Sequence, residues 1–221
     1  MASHTEENYL KAIMNLADVE GEVSISGLSA LLQVSKPTAN SMIKNLERQG
    51  LVNYEKYKPL SLTQKGKTAA ALVVRKHRLT ERFLVERMGF GWEEVHEIAE
   101  QVEHINSVKF FERMDELLGY PGIDPHGSPI PDSTGQLAEQ HYKPLSTGKP
   151  GDKLILKALM HSNRDFLEFL NSRNLKLGTA LEVISKEAFD GTMVVCYENY
   201  PSETLSVSVC ERLLVEKMGE G

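Results

Sequence analysis

"SKPTANSMIKNLERQGLVNYEKYKPLSLT", residues 35–63, contains a change of period that decides the architecture. Ser35 is a helix-capping residue type, Pro37 suits a first turn where its missing N–H is not needed, and Gly50 closes the pattern. Between them Ala39, Met42, Ile43 and Leu46 recur at helical spacing and form one inward face. After Gly50 the period drops to two. "LVNYEK" and "PLSLT" read as short strands flanking a "KYKP" turn.

Upstream, "TEENYLKAIMNLA" reads as a helix with Thr5 as its cap and Tyr9, Leu10, Ile13, Leu16 and Ala17 on one side. "VSISGLSALLQV" reads as a short second helix with Leu28, Leu31 and Leu32 facing inward. Three helices followed by a small hairpin are the layout of a winged helix-turn-helix over residues 1–63. In such a head the second helix of the pair enters the DNA major groove by its N-terminal end. Here that end displays Ser35, Lys36, Pro37, Thr38, Asn40, Ser41 and Lys44, with Lys56 and Lys58 on the wing tip. Small hydroxyls, amides and ammonium groups are the types that meet phosphates and base edges. The bland alternative is a capping signature on a solvated helix.

The charge distribution agrees with the first reading. The chain of 221 residues has net charge −6, but residues 1–76 hold ten Lys/Arg against seven Asp/Glu, and the rest hold fifteen against twenty-four. A basic head on an acidic body suits a DNA-facing module.

Beyond the wing, Gln64 to about Met88 is helical in pattern, with Gly66 early in it. "FGWEEVHEIAEQVEHI" reads as a helix after Gly91, and "NSVKFFERMDELLG" as another, capped by Asn106 or Ser107. The stripe Val108, Phe111, Met114, Leu117 and Leu118 serves either as core or as a dimer face. "GYPGIDPHGSPIPDSTG" is too rich in Gly and Pro to continue a helix. Further on, "KLILKALM", "ALEVISKEA", "GTMVVCYEN" and "TLSVSVCERLLVE" read as strands of a small β-barrel, with "NRDFLEFLNSRN" as its one helix. The expected segments are 1–63, a helical region 64–120, a linker 121–149, and the barrel 150–221.

Chemistry concentrates in the helical region. On one helix His96, Glu100 and His104 drift by about 40° per step, with Glu103 on nearly the same side. His77 and Glu81 lie one turn apart on the preceding helix. Carboxylates so close repel one another unless a cation compensates them. Two such sets on antiparallel neighbours point to a divalent metal; a solvated acidic face with incidental histidines is the alternative. Imidazoles and carboxylates without thiolates suit Mn, Fe, Co, Ni or Zn, with Mn(II) or Fe(II) favoured by the carboxylates. The sequence has no HExxH, no G-x-S-x-G and no phosphate-binding loop, so a metal-dependent hydrolase is the lesser reading, and no small organic substrate is expected. Cys196 and Cys210 lack zinc-knuckle spacing and read as small apolar groups. A 41% hydrophobic chain without a long apolar run reads as non-membrane and cytoplasmic.

Taken together, "TEENYLKAI", "VSKPTANSMIKNLERQGLV", "LTQKGKTAAALVVRKHRLTERFL", "EEVHEIAEQVEHINS" and "DPHGSPIP" resemble the diphtheria-toxin-repressor family of iron- and manganese-dependent transcriptional repressors. The resemblance covers about residues 5–131, and the tail fits the family's SH3-like domain more loosely. It implies a helical dimerisation region, a homodimer, double-stranded palindromic operator DNA upstream of metal-uptake genes, and Mn(II) or Fe(II) as cofactor, with other divalent transition metals substituting in vitro. By the same resemblance, one site uses Glu100, Glu103 and His104 with a first-helix ligand near Asn8. The other uses His77, Glu81 and His96, with Asp165 as a contribution from the barrel. Where Glu100 stands, the family carries cysteine or glutamate, glutamate being more typical of the manganese-responsive branch. Asn8 and Lys11 depart from the family's usual Asp or Met and, in the manganese branch, Glu. Asn8 still offers a carbonyl oxygen, whereas a protonated Lys11 cannot ligate.

Overall fold

The computed structural model describes residues 3–20, 22–55 and 58–219. The chain clusters into two units. The first comprises 1–83, 97–122 and 130–138; the second comprises 84–96, 123–129 and 139–221.

The first unit opens with α1 (His4–Glu20), α2 (Ile25–Leu31) and α3 (Lys36–Arg48). The cap of α1 is Ser3 rather than Thr5. The Ser3 hydroxyl accepts from Glu6 N, and the Glu6 carboxylate accepts from Ser3 N at 2.8 Å. This reciprocal box satisfies two N–H groups where a lone threonine would satisfy one. Ser35 caps α3 as expected, accepting from Thr38 N. Leu28, Ala39, Ile43 and Leu46 are buried with Tyr9, Leu10 and Ile13 of α1. Leu31 is exposed, contrary to expectation, while Leu28 is buried and Ile25 and Leu32 pack against the same core. The wing is β1 (Val52–Asn53) paired antiparallel with β2 (Ser61–Leu62), and an isolated bridge joins Val23 to Leu60. Lys56, expected at its tip, lies outside the described residues.

The long helix α4 (Gln64–Met88) begins against the wing. Gly66 is required there, since a Cβ would run into the Leu51 carbonyl. The next helix, α5 (Val95–Val102), is shorter than expected at both ends. At its start the Glu94 carboxylate accepts from Gly91 N, forming a turn before Val95. At its end Asn106 and Ser107 lead into α6 (Val108–Leu118), for which Ser107 is the cap. Phe111 and Met114 of α6 pack with Leu79 and Ile130. Val108, Phe110 and Leu117 stay exposed, so the apolar stripe divides between core and surface.

The second unit is an antiparallel sheet in the order β3 (Lys143–Pro144), β8 (Leu213–Lys217), β4 (Lys153–Leu159), β5 (Ala180–Lys186), β6 (Met193–Tyr197), β7 (Tyr200–Leu205). Bulges near Lys157, Ile184 and Cys196 bend it. Two helices, α7 (Arg164–Asn171) and α8 (Val207–Arg212), close it over a core of Leu156, Leu170, Leu181, Met193, Val195 and Leu213. "TLSVSVCERLLVE" is therefore strand, helix and strand rather than one strand. The short helix turns the buried Cys210 inward and returns the chain beside β4. Both cysteines are free thiols, Cys210 buried and Cys196 half-buried. Lys143 and Pro144, in the segment read as linker, pair with β8. The "DPHG" turn belongs to this unit. Asp124 accepts from the backbone of His126 and Ser128, and His126 Nε2 lies 2.9 Å from the Trp92 carbonyl.

Candidate metal centre and nucleic-acid face

Ser35, Lys36, Pro37, Thr38, Ser41 and Lys44 are all exposed at the N-terminal half of α3. Asn40 differs: it is half-buried, and its carbonyl accepts from the Tyr54 hydroxyl at 2.9 Å. That bond joins the reading helix to the wing. Lys58 pairs with Glu55 at 2.8 Å on the wing surface. At the far end of α3, Asn45 and Gln49 both donate to Glu6 of α1, at 2.8 and 2.5 Å. Backbone bonding from Ser3 and side-chain bonding from Gln49 hold the Glu6 carboxyl below its ordinary range.

The opposite side of α1 carries Glu7, Asn8 and Lys11, and it meets α4 and the α5–α6 turn. His77 of α4 is the hub. Its Nδ1 lies 2.6 Å from Glu103 Oε2, and its Nε2 lies 2.9 Å from Glu81 Oε1. Burial works against an imidazolium here. The bonds to Glu103 and Glu81 outweigh it and raise the pKa to about 9. Glu103 has a fully buried side chain, which by itself would favour the neutral acid. The His77 bond and the Lys11 charge instead pull its pKa down. Lys11 Nζ is 2.6 Å from Glu103 Oε1 and 2.6 Å from Glu100 Oε1. His104 Nδ1 is 2.7 Å from Glu7 Oε2, and its ring stacks on His4. Lys76 reaches Glu7 at 3.5 Å.

Five expected donors thus converge: His77, Glu81, Glu100, Glu103 and His104. The route differs from the expected one. Glu103 and His104 lie in the turn beyond α5; Glu103 keeps its helical position through the bond from its N to the Ala99 carbonyl. The two expected sets are also not separate, because His77 bridges Glu81 to Glu103. Glu7 and Lys11 were missed as members. Their one-turn spacing on α1 was a usable signal, but only the fold shows that the turn faces carboxylates. His96 is exposed on α5, one turn before Glu100. Asp165 is exposed in the first turn of α7.

A divalent cation fits these residues. The donors are hard carboxylate oxygens and imidazole nitrogens. The carbonyl oxygen of Asn8 is buried without a hydrogen-bond partner, which is costly unless something coordinates it. Neither cysteine lies in this unit.

Comparison with known proteins matches three segments of the chain. Residues 1–60 match the family described as "Iron dependent repressor, N-terminal DNA binding domain", and 63–132 match "Iron dependent repressor, metal binding and dimerisation domain". Residues 143–217 match the FeoA domain. The chain is 39% identical over 225 residues to the iron-dependent repressor IdeR of Mycobacterium leprae, covering 97% of each chain. It is 35% identical over 198 residues to the diphtheria toxin repressor of Corynebacterium diphtheriae, covering 83% of this chain and 85% of that one. A solved manganese-dependent transcriptional repressor in complex with manganese superposes with a TM-score of 0.88 at 31% identity, covering 96% of this chain and all of that one.

Proposed function

The chain belongs to the iron-dependent repressor family, and we propose that it is a metal-dependent transcriptional repressor that grips palindromic operator DNA as a homodimer when loaded with Mn(II) or Fe(II). The observation that carries this reading is the convergence of α1, α4 and the α5–α6 turn on one charged cluster, with α1 also bonded to the reading helix. Asn8, Glu100, Glu103 and His104, with Glu7 beside them, are the residues that would hold one ion. His77 and Glu81 would belong to the second expected set. A bound divalent ion would supply positive charge among these carboxylates.

The protein's own part is mechanical. Glu7 and His104 fasten α1 to the α5–α6 turn. Glu6 fastens α1 to Asn45 and Gln49, so a fixed α1 fixes α3. The exposed Ser35, Lys36, Thr38, Ser41 and Lys44 then meet the major groove, with Lys58 on the wing. The exposed Val108, Phe110 and Leu117 of α6 form the dimer face, which spaces two heads for two half-sites. Moving a 1:99 population to 99:1 needs a preference of about 5.5 kcal/mol for the competent state. Glu100 in place of a thiolate favours Mn(II), with iron selectivity as the rival.

Among the described residues no helix is long and apolar enough to cross a membrane. The test is binding to a fluorescent palindromic duplex with and without Mn(II) or Fe(II), the latter anaerobically. Metal should strengthen binding by orders of magnitude. Equal affinity in both states overturns the proposal.

A further inference from the structure

Lys11 places a cation directly between two carboxylates of this cluster. Its ammonium sits 2.6 Å from Glu100 Oε1 and 2.6 Å from Glu103 Oε1, and its side chain is largely buried. The other oxygen of Glu103 is held by His77 at 2.6 Å. Both oxygens of the most buried carboxylate are therefore already engaged. An ion held by Glu100 Oε1 and Glu103 Oε1 together would take the position of the ammonium, because two cations cannot occupy the same space between two carboxylates.

We propose that Lys11 is a resident competitor of the metal: its ammonium occupies the Glu100–Glu103 site in the metal-free protein and sets the divalent-ion concentration at which the centre fills. The inference rests on the functional reading above and adds to it a residue that determines the threshold. The chemistry suits the role. A lysine ammonium is a compact charge on a flexible four-carbon stem, so it can pair with both carboxylates and then withdraw toward solvent. While in place, it keeps the metal-free cluster from repelling itself apart. The same contact that stabilises the metal-free protein opposes loading of the centre.

The test measures Mn(II) affinity by competition with a fluorescent chelator, together with the melting temperature with and without Mn(II). Lys11→Met removes the charge and keeps the length, Lys11→Gln is a second neutral variant, and Lys11→Arg retains the charge. The neutral variants should bind Mn(II) about tenfold more tightly, about 1.4 kcal/mol. They should also melt lower without metal and gain more on adding it. Lys11→Arg should bind no more tightly than the unmodified protein. A neutral variant that folds only with Mn(II) present is titrated from the loaded side. Unchanged or weaker Mn(II) binding by both neutral variants overturns the inference. If the unmodified protein binds no Mn(II) or Fe(II) at all, the functional reading fails with it.

Discussion

His77 Nδ1 lies 2.6 Å from Glu103 Oε2, joining α4 to the turn after α5 across 26 residues of sequence. His77 also reaches Glu81, so one imidazole spans two carboxylates in a buried position.

This pairing makes the metal-free protein pH-dependent. Burial opposes the charge on His77, but the bonds to Glu103 and Glu81 raise its pKa from 6.5 to about 9. The folded pKa is the higher one, so the stabilisation is complete below about pH 6.5 and is lost as pH rises through about 9. The melting temperature of the metal-free protein should fall across that window. Substituting His77→Gln should flatten the profile; an unchanged slope would mean that the charge resides elsewhere.

Glu103→Gln tests the centre of the cluster. The fully buried carboxylate faces both Lys11 and His77, so neutralising it leaves Lys11 with Glu100 alone and His77 with Glu81 alone. Breaking such a pair typically costs about 3–5 kcal/mol. The variant should therefore lose stability as well as metal response. Urea unfolding and a Mn(II) titration measure the two losses separately. Normal metal binding by a folded variant would remove Glu103 from the ligand set.

Lys36→Ala tests the reading face. Lys36 is exposed in the first turn of α3, far in sequence from the cluster. If it meets a phosphate, DNA affinity should fall about equally for all duplex sequences, and the salt slope should drop by about one. Mn(II) affinity should not change. Loss confined to one operator base pair would instead assign Lys36 to a base edge.

Glu6→Ala tests the coupling. Glu6 receives Asn45 and Gln49 of α3 on one side of α1, while its neighbour Glu7 holds His104 on the other. Without Glu6, α1 still closes on the cluster, and α3 keeps its apolar packing on α1 but loses its two side-chain bonds to it. Mn(II) affinity should stay within about twofold, while the metal-induced gain in DNA affinity should fall about tenfold, the equivalent of about 1.4 kcal/mol. A full DNA response to metal in this variant would show that the signal takes another route.

Much of the fold was legible because its signals are local. The Ser35 cap, the inward face of α3 and the drop to period two after Gly50 need only neighbouring residues, and all three stand in the structure. Longer-range effects misled the reading. "TLSVSVCERLLVE" alternates like one strand, but the core needs Cys210 inside and Leu213 returned beside β4, so a helical turn interrupts it. The end of α5 was likewise invisible. Ser107 caps the next helix, and Glu103 and His104 are left in the turn between the two.

By itself, the sequence determined which residue types were available for the candidate centre and that two carboxylate–imidazole sets lay on consecutive segments. Their spacing is a local property of the chain. Only the tertiary structure decided that His77 bridges the sets, that Glu7 meets His104, and that the Lys11 ammonium lies between Glu100 and Glu103. Those contacts join residues up to 97 positions apart. Their strength comes from burial, where unlike charges attract across a medium far less screening than water.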